Sequence, residues 1–230
     1  MSRQFGLHGY VLSRREVGEA DRIITFFSRE RGKLSFVARG IRRGNAKLAG
    51  QLEAYHELRL RLVEGRGLPI VTASEIIAPW RSDTDYELLI TAQAALELTS
   101  LTVGEEVPDS VWYEHLQITM RELPLVASSR RELLWLNLLV QSLEALGISP
   151  GLPTIVEDNH LDIREGRWQT RGGHSISLTA LKLWRFLLSA QPSDVQRLKG
   201  SDTATQELLP IVEQFWRYHS GQNLRARSLA

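Results

Sequence analysis

The residues of this sequence best suited to chemistry are the basic side chains of one stretch, residues 29–47. The stretch contains seven arginines and lysines, one acidic residue, and glycines at positions 32, 40 and 44. An arginine can bind two phosphate oxygens at once, and a glycine lets the backbone approach a phosphodiester chain closely. The stretch therefore predicts contact with a polyanion such as nucleic acid; a solvated basic loop is the alternative interpretation.

Catalytic and metal-binding patterns are missing from the sequence. It contains no phosphate-binding loop, no serine-nucleophile elbow, no zinc-protease helix and no dinucleotide-binding glycine motif. It has no cysteine, and its six histidines are scattered without ligand spacing. Asp83 and Asp85 stand at a predicted helix start, where acidic side chains are expected as caps. We therefore predict a protein that is not an enzyme and binds no metal or cofactor.

Charge is divided unevenly along the chain. Residues 1–81 carry fifteen basic and eight acidic residues, whereas residues 82–230 carry thirteen and nineteen, so the net charge of +1 combines +7 with −6. Such asymmetry predicts two functional surfaces, of which the N-terminal one suits polyanions.

Five short strands are predicted to position the basic stretch. Residues 22–28 and 33–39 are rich in β-branched and aromatic residues and flank a turn, which predicts a hairpin. In residues 57–63, strict alternation predicts that Leu58, Leu60 and Leu62 face the core, while Glu57, Arg59 and Arg61 face water. With strands near residues 6–14 and 68–78, five strands most economically close into a small β-barrel, such as the OB-fold.

From residue 82 onward the apolar period changes to that of helices, which predicts an α+β protein with domains at 1–81 and 82–230. Helices are predicted at 84–103, 109–122, 129–146, 178–190 and 203–219, with capping boxes starting at Thr84, Ser129 and Thr203. The third helix is apolar except for a stripe of Asn137, Gln141 and Glu144, so we expect it at the centre of the bundle, ending at Gly147. Residues 151–177 form an irregular segment in which 161–163 and 167–170 are predicted to be a short hairpin.

Several motifs resemble those of the bacterial recombination mediator RecO family, and the resemblance covers essentially the whole chain. They are residues 9–12, 18–28, 31–33 and 37–43, and the helix end Leu143-x-x-Leu-Gly147-x-x-Pro150. The resemblance implies a DNA-repair and recombination protein with an N-terminal OB-fold and a C-terminal helical domain. It further implies binding of single- and double-stranded DNA, strand annealing, association with RecR and single-strand-binding protein, and help in loading RecA.

One departure from the family concerns zinc. Many members carry a four-cysteine zinc module after this helix end, whereas residues 151–177 contain no cysteine. We expect the short hairpin to hold the same place by packing of Ile155, Leu161, Ile163 and Trp168.

Candidate binding residues follow from the basic character of the first 47 residues and of two helices. The predicted DNA-binding residues are Arg14, Arg15, Arg22, Arg31, Lys33, Arg39, Arg42, Arg43 and Lys47. The predicted partner-binding residues, for the acidic, apolar-ended tail of single-strand-binding protein, are Arg130, Arg131, Lys182 and Arg185. Core packing of Leu181, Trp184 and Leu188 beside solvated charges is the alternative for the second pair.

Three other function classes fit the residues alone: an RNA-binding OB-fold protein of translation, a metal-dependent nuclease, and a scaffold that binds no nucleic acid. The N-terminus lacks the apolar run of a signal peptide, and the most apolar stretch, residues 133–140, is too short to cross a bilayer. We therefore expect a cytoplasmic protein, and the family resemblance implies a bacterial one associated with the nucleoid.

Overall fold

A computed structural model describes residues 3–43, 48–80, 85–153, 159–195 and 197–229. The chain divides into two compact units, Met1–Pro124 and Leu125–Ala230. Strands dominate the start of the chain and helices the remainder, which confirms the predicted α+β organisation. The first unit extends past the predicted domain boundary at 81/82 and includes two helices.

The first unit is built on five strands that close in the order β1-β2-β3-β5-β4. Their bounds are β1 Gln4–Val17, β2 Asp21–Ser28, β3 Gly32–Ala38, β4 Glu57–Val63 and β5 Ile70–Ala78. β3 and β5 pair in parallel, and the other neighbouring strands pair antiparallel. The enclosed core includes Phe26, Phe36 and Leu60, and Ile41 and Leu52, from the connection between β3 and β4, join it.

The alternation predicted for β4 is confirmed at five of its positions and wrong at one. Leu58, Leu60 and Leu62 are buried, and Arg59 and Arg61 are exposed. Glu57, which was expected in water, is only 1% exposed, because helical residues cover this end of the strand.

Two helices, α1 Tyr86–Thr102 and α2 Ser110–Glu122, complete the first unit. Asp85 caps α1 by accepting a hydrogen bond from the backbone N–H of Leu88 at 3.1 Å, so its predicted capping role is confirmed. Thr84 and Asp83 lie outside the described residues. Asp109 caps α2 in the same way through Trp112. The ring centre of Tyr113 in α2 lies 6.0 Å from that of Phe27 in β2.

The second unit contains four helices and a small sheet in its described part. The helices are α3 Ser128–Ala145, α4 Leu178–Leu187, α5 Pro192–Val195 and α6 Asp202–Ser220, and the strands are β6 His160–Asp162, β7 Arg167–Gln169 and β8 His174–Ser175. Ten residues of α3 are buried, namely all of 133–140 together with Ser142 and Leu143. This burial confirms the predicted central position of the helix. Within its polar stripe, the Asn137 and Gln141 amides donate hydrogen bonds to backbone carbonyls at the end of α4.

Helix ends differ from the predicted caps at two places. α3 begins after Ala127 and α6 after Ser201, and neither residue caps its helix with a side-chain hydrogen bond. The capping boxes predicted at Ser129 and Thr203 are therefore wrong, because both residues already lie inside the first helical turn. The predicted stop at Gly147 is confirmed: its φ is +67°, and the following N–H of Ile148 donates to the carbonyl of Leu143.

The predicted hairpin in residues 151–177 is present, with β8 as a third strand in the order β7-β6-β8. Leu161 and Ile163 are buried, and the half-buried Trp168 ring meets Trp184 of α4 edge-on at 5.7 Å. Ile155, the fourth residue expected to pack there, lies outside the described residues. No helix in the described ranges is both long enough and apolar enough to span a membrane.

Candidate nucleic-acid interface

Six of the predicted DNA-binding residues come together where the β1–β2 hairpin meets the turn after β3. The hairpin reverses at residues 18–20, where Gly18 has a φ of +59°. The turn after β3 is attached to it, because the N–H of Arg42 donates to the carbonyl of Ala20, and the N–H of Gly40 donates to the Asp21 carboxylate at 2.7 Å. We name the resulting group the tip cluster; it consists of Arg14, Arg15, Arg22, Arg39, Arg42 and Arg43.

Two carboxylates orient half of the tip cluster. Glu16 lies 3.3 Å from the Arg42 guanidinium and 3.7 Å from that of Arg22. Arg14 forms an ion pair with Glu53, in the connection that leads to β4. These pairs lie at the surface, where an ion pair contributes about 0–1 kcal/mol, so a stronger anion can replace the carboxylate.

The other half of the cluster faces solvent. Arg15, Arg39 and Arg43 are exposed, and within the described part of the chain no carboxylate lies at ion-pair distance from them. Three exposed guanidinium groups without an ion-pair partner among the described residues thus lie at the same end of the strands as three that are weakly paired, and this end of the unit suits anions.

Arg31 and Lys33 lie at the other end of the β2–β3 hairpin. In the register, Arg22 pairs with Ala38 at one end and Ser28 with Gly32 at the other. Six residues at about 3.3 Å each separate the two ends by roughly 20 Å. The continuous basic stretch of the sequence is therefore divided between two surfaces.

Both of these residues have contacts within the first unit. The Arg31 guanidinium lies 4.0 Å from the centre of the Phe5 ring. The Lys33 ammonium donates to the carbonyl of Ser100 at 2.7 Å and lies 3.3 Å from Glu105, with 13% of the side chain exposed. Lys33 thus anchors the end of α1 to β3. Lys47, the ninth predicted residue, lies outside the described residues.

A buried polar network around Glu57 lies on the outer side of the strands, beneath α2. The Glu57 carboxylate accepts hydrogen bonds from Gln117 at 2.6 Å and from Arg121 at 2.7 and 2.9 Å. Tyr10 donates to it at 3.3 Å, and His8 Nε2 lies 2.8 Å away. The alternation in β4 could not predict this network. Glu57 has the same outward position in the strand as Arg59 and Arg61, and it is buried only because α2 covers it.

The network shifts the ionisation of its members. Burial, followed by the charge of Glu57, raises the pKa of both Tyr10 and Tyr113 well above the usual value for tyrosine. Partial burial opposes the charge on Arg121, but the hydrogen bond and charge of Glu57 outweigh it and raise the Arg121 pKa. The geometry therefore holds an ion pair and neutral tyrosines, which is an arrangement for attaching α2 to the strands.

Of the predicted partner-binding residues, Lys182 lines a pocket. This cavity of about 210 Å³ lies between α4 and the start of α6, and its apolar lining includes Leu183, Phe186 and Leu198. Lys199 also lines it, and Phe186 is 36% exposed. Leu181 and Trp184 are buried in the core, as the alternative interpretation expected.

The remaining partner-binding candidates are elsewhere in the second unit. Arg185 is exposed on α4 and does not line the pocket. Arg130 and Arg131 are half-buried in the first turn of α3. For metal ligands, no group of three or more histidine and acidic side chains suited to an ion occurs in the described residues.

Comparison of the sequence with known proteins identifies its family. The family model described as "Recombination protein O N terminal" matches residues 1–80, and that described as "Recombination protein O C terminal" matches residues 83–228. A curated relative from Cutibacterium acnes, named DNA repair protein RecO, is 34% identical over 148 residues, which are 62% of this chain and 60% of the relative.

Two further relatives with the same name match shorter segments. The protein from a Nocardioides species is 36% identical over 103 residues, covering 44% of this chain and 42% of the relative. That from Bifidobacterium adolescentis is 34% identical over 105 residues, covering 45% and 43%. The matched part thus spans about two fifths to three fifths of these relatives, while the two family models together span nearly the whole chain. The chain belongs to the recombination protein O family.

Proposed function

We propose that the chain is a DNA-repair mediator that binds single- and double-stranded DNA and promotes annealing of complementary strands. In this proposal it also helps RecA load onto strands coated by single-strand-binding protein, at the bacterial nucleoid. Family membership and the relatives' name, DNA repair protein, support the repair role. The observation that carries the binding step is the convergence of six arginines in the tip cluster.

The tip cluster supports binding without sequence preference. Arginine contacts to phosphate position a strand but do not read its bases. Each phosphate contact releases condensed counterions, so binding weakens as salt rises. When two complementary strands are neutralised in this way, their mutual repulsion falls and they pair faster. The proposal therefore contains no covalent step.

We further propose that the strands of the first unit form an OB-fold. The order β1-β2-β3-β5-β4 and the parallel β3–β5 pair support this assignment. OB-folds bind oligonucleotides across strands 2 and 3 and the loops next to them. The tip cluster lies on the ends of β1 and β2 that flank their connecting loop and just after β3, which is consistent with that mode of binding.

We propose that the pocket beside Lys182 receives the tail of single-strand-binding protein, and that RecR is a second partner. An acidic tail that ends in an apolar side chain requires an apolar cavity with a cation beside it. Leu183 and Phe186 supply the apolar lining, and Lys182 and Lys199 supply two ammonium groups. These features favour this pocket over Arg130 and Arg131 as the tail site.

The tail proposal predicts that Lys182→Glu weakens binding of a fluorescent tail peptide by about tenfold or more, because it places a carboxylate beside the peptide's own carboxylate. Arg185→Glu is the matched control, since Arg185 is exposed on the same helix but does not line the pocket. Fluorescence anisotropy of the peptide measures both. Equal weakening by the two variants would indicate general repulsion and reject this pocket as the site.

The DNA-binding proposal is tested by replacing Arg15, Arg39 and Arg43 with glutamate in the full chain. Fluorescence anisotropy with a labelled single strand should show affinity reduced by at least about tenfold, because three free cations become anions. A control variant with Arg164, Arg167 and Arg171, three exposed residues of the second unit, changed to glutamate has the same net charge. If the two variants bind alike, the tip cluster is not the DNA site.

A further inference from the structure

An aromatic pair, one ring from the connection between β3 and β4 and one from the segment after β5, lies near Arg14 of the tip cluster. Leu52, in this connection, is buried in the core. Glu53, the next residue, forms the ion pair with Arg14 of the tip cluster. Tyr55 follows two residues later and lies beside Trp80, two residues after the end of β5. The ring centres are 5.6 Å apart and the ring planes are inclined by 36°.

The backbone at Tyr55 is strained. Its φ of +74° lies in the left-handed region, which a bulky side chain seldom adopts. Such strain persists only where surrounding contacts impose it, and it is concentrated at binding and switching sites. In this conformation the Tyr55 ring lies against Trp80.

Hydrogen bonds fix the ring pair on both sides. The Tyr55 hydroxyl donates to the side-chain oxygen of Gln93 in α1 at 3.1 Å. The backbone N–H of Trp80 donates to His56 Nδ1 at 2.9 Å. Tyr55 and Trp80 are both only half-buried, so part of each remains in contact with solvent. A rigid aromatic pair that is partly open is suited to stacking against another flat ring.

Arg14 links this pair to the phosphate-binding surface. Burial raises the pKa of the Tyr55 hydroxyl, and the nearby Arg14 guanidinium opposes the rise. Because the ion pair with Glu53 also holds Arg14 at this connection, a strand with a phosphate on Arg14 has a base near the ring pair.

We propose that Tyr55 and Trp80 form a base-stacking platform for single-stranded nucleic acid. The inference rests on the proposed DNA-binding function and adds a basis for recognising single strands. Bases of a single strand can leave their own stack and lie on an aromatic ring, whereas those of a duplex are already paired and stacked. The platform therefore strengthens single-strand binding only, while the tip cluster serves both forms through phosphates.

The test compares three labelled probes of equal length on the full chain: a thymidine oligonucleotide, an abasic oligonucleotide and a duplex. The natural protein should bind the thymidine strand about tenfold more tightly than the abasic strand. Tyr55→Leu should remove this difference and leave abasic and duplex affinities unchanged. Tyr55→Phe keeps the ring and should retain the difference, and Trp80→Leu repeats the test on the second ring.

Tyr86→Leu serves as the control, because Tyr86 is 67% exposed at the start of α1 and belongs to no ring pair in the described residues. Unchanged thymidine binding in Tyr55→Leu overturns the platform. An equal loss on all three probes also overturns it, because that result assigns Tyr55 the role of holding the connection in place. Failure of the natural protein to bind any probe would instead reject the DNA-binding function itself.

Discussion

Glu57 is a carboxylate whose charge is buried and balanced within the first unit. Removing a charge from water costs several kcal/mol, and that cost is offset only when the remaining lone pairs are satisfied. Four side chains surround the Glu57 oxygens, and Arg121 supplies two of the hydrogen bonds. The pair therefore matters to stability far more than a surface ion pair does.

We expect Arg121→Met to lower the free energy of unfolding by about 2 kcal/mol, because it leaves Glu57 buried without its cation. This loss of stability is smaller than the loss expected on breaking a fully buried ion pair, since half of the Arg121 side chain is exposed. Arg59→Met is the control: Arg59 pairs with Glu75 at 3.0 Å, both are mostly exposed, and its loss should change stability by less than about 0.5 kcal/mol. Urea unfolding at neutral pH measures both, and equal effects would refute a structural role for Glu57.

His115 should make the protein sensitive to mild acid. The ring is 3% exposed, and burial lowers its pKa even though Glu114 and Asp109 favour the charged form. The unfolded chain takes up a proton near pH 6.5, whereas the folded chain resists it until lower pH. His115 therefore contributes stability that is present above about pH 6.5 and lost as pH falls toward its lowered pKa.

The corresponding variant is His115→Gln, which does not titrate. Between pH 7.5 and 5.5 its melting temperature should fall less than that of the natural protein. Both temperatures are measured by circular dichroism at each pH. Parallel curves for the two proteins would exclude His115 as the source of the acid sensitivity.

At the scale of single elements, the local sequence pattern was sufficient to predict burial and helix ends where an element packs on a continuous core. Leucines in β4 and the apolar length of α3 predicted their burial, and Gly147 predicted the end of α3, because each depends on neighbours close in sequence. The basic stretch also indicated the tip cluster, since the turn after β3 holds three of its arginines.

Features that depend on contacts distant in sequence were missed. Glu57 follows the alternation of an exposed residue, and only Gln117 and Arg121, some 60 positions away, make it buried. Arg31 and Lys33 appear continuous with the tip cluster, but a hairpin carries them to its opposite end. Tyr55 was not singled out, because a positive φ at a non-glycine residue is imposed by its surroundings.

At the scale of the whole chain, the domain boundary predicted at 81/82 can be compared with the compact unit that ends at Pro124. Without α1 and α2, the strands would expose Phe27 and leave Glu57 without Arg121 and Gln117. We therefore expect a fragment of residues 1–124 to unfold cooperatively, and a fragment of residues 1–81 to show a lower melting temperature or no transition. Thermal circular dichroism tests this expectation, and equally stable fragments would support a boundary at 81/82.

The central claim, that arginines of the tip cluster bind DNA phosphates, is tested most directly by the salt dependence of single-strand affinity. Each phosphate contact contributes about −0.7 to the slope of log K against log salt. The slope of the natural protein should therefore exceed in magnitude that of the Arg15, Arg39 and Arg43 to glutamate variant by about 2. Identical slopes for the two proteins, measured by anisotropy over the same salt range, would contradict the claim.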